Sequence, residues 1–263
     1  MPHRAAVDDS AGSAWDASGG RRLHRFFVHG PLQGATIFPP QLEHQLRHVL
    51  RLRQGDLVII LLDDGQEHLT ELRENGGRLE GTVLESRPNA VEPAIEVVIG
   101  QCLVKNPKFE LVLQKCTELG AARFVPMRSE RSVREKITAS RHTRYEGIVR
   151  EAAEQSGRGR LPRVEAVTEV ATAVPVLLPA IILDPGAATP FGRVVKEHHR
   201  AGGRRLSILI GPEGGFTSAE IAAAKENGAV SAGLGRRILR AETAAVAACA
   251  IAFDLLEDGS RIA

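Results

Sequence analysis

The chain has 263 residues, 43% of them hydrophobic, with a formal net charge of +2. That is enough for one large or two ordinary domains with a sizeable core, and it excludes a chain whose charge alone announces nucleic-acid binding. No apolar run approaches the roughly 18 to 20 residues of a membrane span, and no secretory pattern opens the chain, so a cytoplasmic protein is expected.

Residues 1 to 20 are small, polar and unpatterned, and read as a disordered tail carrying no chemistry. From Arg21 the sequence enters a strand at Phe26-Phe27-Val28. Gln41 to Leu52 offers a short helix with Leu42, Leu46 and Val49 on one face. An apolar run at 57–62 and strand-like pieces at 67–72 and 78–84, separated by Asp63-Asp64-Gly65 and Asn75-Gly76-Gly77, predict an all-β domain over 21–90, a small barrel or sandwich. Six of the 34 basic residues are Lys and the other 28 Arg, the better residue for planar phosphate and base contacts. Arg21, Arg22, Arg25, Arg47, Arg51 and Arg53 cluster here, either as an RNA-backbone footprint or as a solvated surface. His44 and His48 are four apart, but Gln45 takes the place of the glutamate in a zinc motif, so no metal is expected.

The proline-bearing stretch 86–94 reads as a domain boundary, and from residue 94 strands and helices alternate. Ile95 to Val104 is an apolar strand. Asn106-Pro107 would cap a helix with the stripe Phe109, Val112, Leu113, Cys116 and Leu119, closed by Gly120. Phe124 to Met127 is the next strand, leading to the polar loop Ser129-Glu130-Arg131-Ser132. A long helix ends near Ser156, with Glu151, Gln155 and Arg158 on one polar stripe if it persists. Further strands fall at Val164–Val167 and Ala180–Leu183, and a helix at about 191–199. The last helix, about 242–256, is apolar almost all round, as suits burial inside the domain or against a second subunit. Cys102, Cys116 and Cys249 sit in apolar contexts without paired spacing and read as structural thiols.

The most informative stretch is Ser207 to Phe216. An apolar parallel-type strand runs into Gly211-Pro212-Glu213-Gly214-Gly215, with Pro212 suited to the second position of a β-turn, and Thr217-Ser218-Ala219-Glu220 fits a capping box. The glycines fail the dinucleotide and P-loop spacings, and Glu213 stands where phosphate oxygens would sit. A phosphate-free adenosyl ligand fits better; a tight turn with no ligand fits the same residues.

Five blocks in order resemble the ribosomal RNA small subunit methyltransferase E family of the SPOUT, or α/β-knot, superfamily. They are Lys115 to Gly120, Glu130-Arg131-Ser132, Glu151 to Ser156 with Arg158 and Pro162, Gly211 to Phe216, and Leu234-Gly235 followed by Ile238 to Ala244. Phe26-Phe27-Val28 and His48 to Arg51 resemble the family's PUA-like domain. The resemblance implies an α/β protein with a C-terminal SPOUT trefoil-knot methyltransferase domain over 94–263 and an N-terminal PUA-like β-barrel over 21–90. It implies methylation of N3 of a uridine in the decoding region of 16S rRNA, within the small ribosomal subunit, by a homodimer using S-adenosylmethionine. On that resemblance the cofactor loops would hold Leu183 and Asp184; Gly211, Pro212, Glu213, Gly214 and Gly215; and Leu234, Gly235, Ile238, Leu239, Thr243 and Ala244. Arg131, Arg158 or Arg240 would position the base or its phosphates, with Glu242, Glu118 or Glu151 as the acid/base group. Arg22, Arg25, Arg47 and Arg51 would contact RNA. The alternatives are another SPOUT enzyme acting on a ribose 2′-hydroxyl or a different base, and a non-catalytic RNA-binding assembly protein.

Overall fold

The computed structural model describes residues 23–30, 36–105, 107–134 and 137–257. The expected tail, Arg21, Arg22 and Asn106 lie outside them. The chain divides into two compact units, one running through Val91 and the other beginning at Glu92.

The first unit is a five-stranded sheet of β1 (Arg25–Phe27), β2 (Thr36–Ile37), β3 (Leu57–Leu61), β4 (Gln66–Asn75) and β5 (Arg78–Pro88), in the order β1-β3-β4-β5-β2. β1 runs parallel to β3 and the other pairs are antiparallel. Gly76 and Gly77 both take positive φ, 58° and 82°, which lets a two-residue hairpin join Asn75 to its partner Arg78. β1 and β2 form the two edges, with no pairing between them among the described residues. One face buries Val58, Ile60, Leu72 and Leu79 with Phe26, Val28, Phe38 and Leu46.

The helix expected over 41–52 takes a different course. α1 (Pro40–His44) runs directly into a π-helical turn, Gln45–Val49. The wider turn breaks the 3.6-residue spacing, so Leu46 is buried while Val49 is 65% exposed. The segment ends at Arg51, in left-handed backbone with φ 58°.

The second unit is built on a wholly parallel sheet. Its strands are β6 (Glu96–Cys102), β7 (Arg123–Arg128), β8 (Arg163–Val164), β9 (Thr168–Glu169), β10 (Ala180–Leu183), β11 (Arg205–Ile210) and β12 (Val230–Ala232), ordered β12-β10-β11-β6-β7-β8, with β9 also on β7. The single strand expected at 164–167 is thus two short ones. Parallel strands need crossovers and are buried on both faces, which is why these segments read as continuous apolar runs. α2 (Lys108–Leu119), α3 (Ala139–Ser156), α5 (Phe191–Arg200) and α7 (Ala241–Leu256) share a core with Val97, Ile99, Phe124, Ile181 and Ile208. α4 (Val170–Val176) and α6 (Ser218–Glu226) pack with Val98, Val125, Ile182 and Leu209.

α2 buries Phe109, Val112, Leu113 and Cys116, and Gly120 closes it with φ 114°. Pro107 occupies the cap position itself, with Lys108 as the first helical residue. α3 stops at Ser156 because Gly157 turns left-handed, φ 83°, so Arg158 is not on the helix stripe. α7 buries Ala245, Ala248, Cys249, Ala252 and Phe253, while Thr243, Ile251 and Asp254 are exposed and Ala247 and Ala250 half-buried. Among the described residues α7 is thus covered except for a narrow stripe, and the expectation of burial all round, inside the domain or against a second subunit, is met within the domain only in part.

Candidate cofactor cleft and its surroundings

In an open parallel sheet the carboxyl ends of the strands are the functional edge, because the connecting loops diverge there. Three such loops meet at the ends of β10, β11 and β12. They enclose a cleft of about 540 Å3, within the size range of a small-molecule site.

After β10, Asp184 folds the chain back. One carboxylate oxygen accepts the Gly186 amide at 2.8 Å and the other accepts the Ser231 hydroxyl at 3.1 Å. After β11 the expected glycine turn is present one residue late: the Gly215 amide donates to the Pro212 carbonyl at 2.9 Å, so Pro212 opens the turn rather than occupying its second position. Gly215 takes φ 68° in the closing position. A Cβ at Gly211 would meet the Phe216 amide nitrogen at 3.0 Å, so the loop is folded tightly on itself. The capping box forms, Thr217 and Glu220 satisfying each other's backbone amides at the start of α6.

After β12 the chain runs beside the 184–190 loop. The Gly233 amide donates to Thr189 and its carbonyl accepts from the Phe191 amide, both at 2.9 Å. A Cβ on Gly233 would lie 3.3 Å from the carbonyl oxygens of Asp184 and Ala187. Leu234, Gly235, Leu239, Arg240, Ala241 and Ala244 then line the cleft, opposite Leu183 and Ile210.

The glycine loop is anchored from three neighbours. Gln101, buried at the end of β6, donates through Nε2 to the Cys102 and Gly211 carbonyls at 2.8 and 3.4 Å. Arg131 donates to the Gly214 carbonyl at 2.9 Å, and the Glu130 amide donates to Glu220 at 2.9 Å. Lys108 pairs with Glu213 at 3.0 Å. Burial of Glu213 raises its pKa, but the Lys108 hydrogen bond, backbone amides and the Lys108 charge outweigh that and lower it overall. Such a depressed carboxylate stabilises the folded loop above its unfolded pKa, and the contribution is lost as pH falls through the lower folded value. At neutral pH the anchor is therefore ionised. Lys108→Met should move Glu213 upward toward the ordinary carboxylate range, as a carboxyl NMR titration would read.

Most of the expected cofactor residues thus converge. One differs: Thr243 is exposed and does not line the cleft, whereas Ile238 lines its rim with a side chain that is 88% exposed. Arg131 and Arg240 are at the cleft or its glycine loop. Glu242 is 8% exposed on the first turn of α7 and does not itself line the cleft, though Ala241 and Ala244 beside it in sequence do; its Oε2 has no hydrogen-bond partner among the described residues.

Arg158 belongs elsewhere. It is 4% exposed, pairs with Glu92 at 3.0 Å, and donates to the Thr117 and Ala121 carbonyls. Its guanidinium is fully occupied inside the fold, so it does not reach a substrate. Glu118 pairs with Lys115 at 2.9 Å and, with Glu151 and Gln155, lines a separate groove of about 820 Å3 between α2 and α3. Lys108 lines that groove too and joins it to the glycine loop. Gln101 and Lys108 escape a reading of the sequence alone. A lone polar residue in a buried strand is the available signal for Gln101.

The proposed RNA contacts of the first unit also change. Arg25 bonds Glu67 through Nε and Nη2, at 3.4 and 3.3 Å, and Arg47 bonds Glu43, Glu74 and the Gly77 carbonyl. Their charge is largely spent within the domain. Arg51 is exposed and unpaired among the described residues. Burial pushes the Cys102 thiol up to about 12, which leaves no thiolate for chemistry at neutral pH.

Residues 91–253 match the RNA methyltransferase domain family. The ribosomal RNA small subunit methyltransferase E of Bacillus subtilis is 35% identical over 213 residues, 76% of this chain and 82% of that protein. The chain belongs to the ribosomal RNA small subunit methyltransferase E family. A family member from Neisseria gonorrhoeae, solved bound to S-adenosylmethionine, superposes with a TM-score of 0.79 at 28% identity, covering 87% of this chain and 96% of that one. A methyltransferase from Legionella pneumophila, solved with bound S-adenosylmethionine, gives 0.77 at 26% identity over 90% and 98%. Family membership accords with the α/β fold, and no helix among the described residues is long and apolar enough to cross a membrane.

Proposed function

We propose that the chain methylates N3 of one uridine in the decoding region of 16S rRNA, using S-adenosylmethionine held in the three-loop cleft. The convergence of loops far apart in sequence on one backbone-lined, largely apolar cleft carries the reading. Leu183, Asp184, Gly211 to Gly215, Leu234, Gly235, Leu239 and Ala244 would hold the cofactor, chiefly through main-chain groups. Glu213 is committed to Lys108, so its part is to order the loop.

When bound, S-adenosylmethionine would supply an electrophilic methyl group on a positively charged sulfur, which keeps the electron pair of the broken carbon–sulfur bond and leaves as a neutral thioether. Uracil N3 must lose its proton as its lone pair forms the new bond to carbon, and negative charge develops on O2 and O4. Glu242 accepts that proton: its Oε2 is buried without a partner, and such groups in native folds carry a demand beyond packing. Arg240, on the cleft rim and unpaired among the described residues, offsets the charge on the uracil oxygens. The uncovered stripe of α7, with Ile251 and small residues, supports a homodimer seated on it. The close run of Gly233 under the 184–190 loop supports a knotted thread there.

The test is incubation of the protein and labelled cofactor with small ribosomal subunits from a strain lacking this activity, followed by mass spectrometry of the nucleosides. N3-methyluridine at a single site is expected. A label on a ribose or another base would overturn the assignment to uracil.

A further inference from the structure

Arginines elsewhere in the second unit, Arg128, Arg144, Arg158 and Arg193 among them, spend their charge on carboxylates. Others, such as Arg134, Arg163, Arg200 and Arg204, have no carboxylate partner among the described residues, but they are scattered, whereas the segment after Gly235 gathers three. Arg236, Arg237 and Arg240 are exposed and paired with no carboxylate among the described residues. Between them stands Ile238, the most exposed large apolar side chain among those residues at 88%. The loop is nevertheless pinned: Leu234 and Leu239 are half-buried on either side, and Leu234 packs against the core. Arg237, Ile238 and Arg240 line the cleft, so this lip forms part of its rim.

We infer that the 236–240 lip is a docking surface for single-stranded RNA, with Ile238 against an exposed base face and Arg236 and Arg237 on the flanking phosphates. Three uncompensated cations within five residues call for a polyanion, and an apolar knob between them calls for one that offers unstacked bases. A-form duplex RNA hides those faces, whereas loops and single strands present them to apolar and guanidinium groups. Enzymes that act on a base must take it out of the stack, and an aliphatic wedge beside the reaction cleft does that for the neighbouring step. This rests on the cleft being the site of methyl transfer.

The full chain is titrated by fluorescence anisotropy with labelled single-stranded oligouridine RNA and with an RNA duplex of equal length, at several salt concentrations. Arg236→Ala/Arg237→Ala should weaken both about tenfold and flatten the single strand's logarithmic salt slope by about 1.4, roughly 0.7 for each phosphate no longer neutralised. Ile238→Ser should weaken the single strand about fivefold, leave the duplex nearly unchanged, and be rescued by Ile238→Met. Calorimetry with S-adenosylmethionine alone, and sedimentation, accompany each variant. Parental RNA affinity in the variants overturns the lip, as does a parallel loss of cofactor affinity or a change in mass, which would assign the loop to the cofactor or to a second copy. A parent protein that binds RNA as expected but not the cofactor would instead sink the methyltransferase reading and leave the lip standing.

Discussion

Glu242→Gln is expected to lower methyl-transfer turnover by about 10²- to 10⁴-fold, the range a positioned acid/base group supplies, with S-adenosylmethionine affinity held within a few-fold. The amide keeps the size and most of the packing of a side chain that is 8% exposed, and removes the ability to take a proton. Arg240→Ala, by contrast, removes charge stabilisation at the exposed rim and lowers turnover while leaving the proton acceptor in place. Single-turnover assays on assembled small subunits, with cofactor binding followed separately by calorimetry, distinguish the two. Full turnover in Glu242→Gln would take this carboxylate out of the chemistry and leave its unpartnered Oε2 as a cost carried for another reason.

The second large effect concerns stability. Arg158→Ala is expected to destabilise the second unit by about 3–5 kcal/mol, because removing one member of a buried ion pair strands the other. Glu92 would keep the amides of Gly159 and Arg160, at 2.8 and 3.0 Å, but lose the guanidinium, and the Thr117 and Ala121 carbonyls would lose a buried donor. Urea denaturation monitored at the second unit would show it as a lowered midpoint. Replacing both partners, Arg158→Met with Glu92→Leu, should recover part of the loss, since a buried pair exchanged for apolar residues is often tolerated. Undiminished stability in Arg158→Ala, coupled with lost turnover, would return Arg158 to the catalytic group.

These two residues mark how far sequence carries. Local signals are legible: the apolar stripe of α2 with its closing glycine, the β11 run and the capping box of α6 each follow from rules acting over a few residues. The failures also have local causes. Spacing puts Arg158 on a helical stripe because nothing in it announces that Gly157 will turn left-handed. The π-helical turn at Gln45–Val49 shifts Val49 off its expected face for the same reason. Other features are long-range by nature. Arg25 and Arg47 read as free cations until Glu67, Glu43 and Glu74 are placed beside them. Gln101 meets Gly211 across 110 residues, and Lys108 meets Glu213 across 105, partnerships that no periodicity encodes.

The position of α7 also governs when the second unit can finish folding. This sixteen-residue helix supplies Ala245, Ala248, Cys249, Ala252, Phe253 and Leu256 to the core shared with β6 and β11, and the segment leading to it must settle beneath carbonyls of the 184–190 loop. During synthesis α7 emerges after every strand it packs on, so β6 waits for more than a hundred residues before β11 can pair with it, and longer still before the core closes. The first unit has no such dependence. A nascent chain therefore carries a completed first sheet while its larger unit still exposes apolar strands.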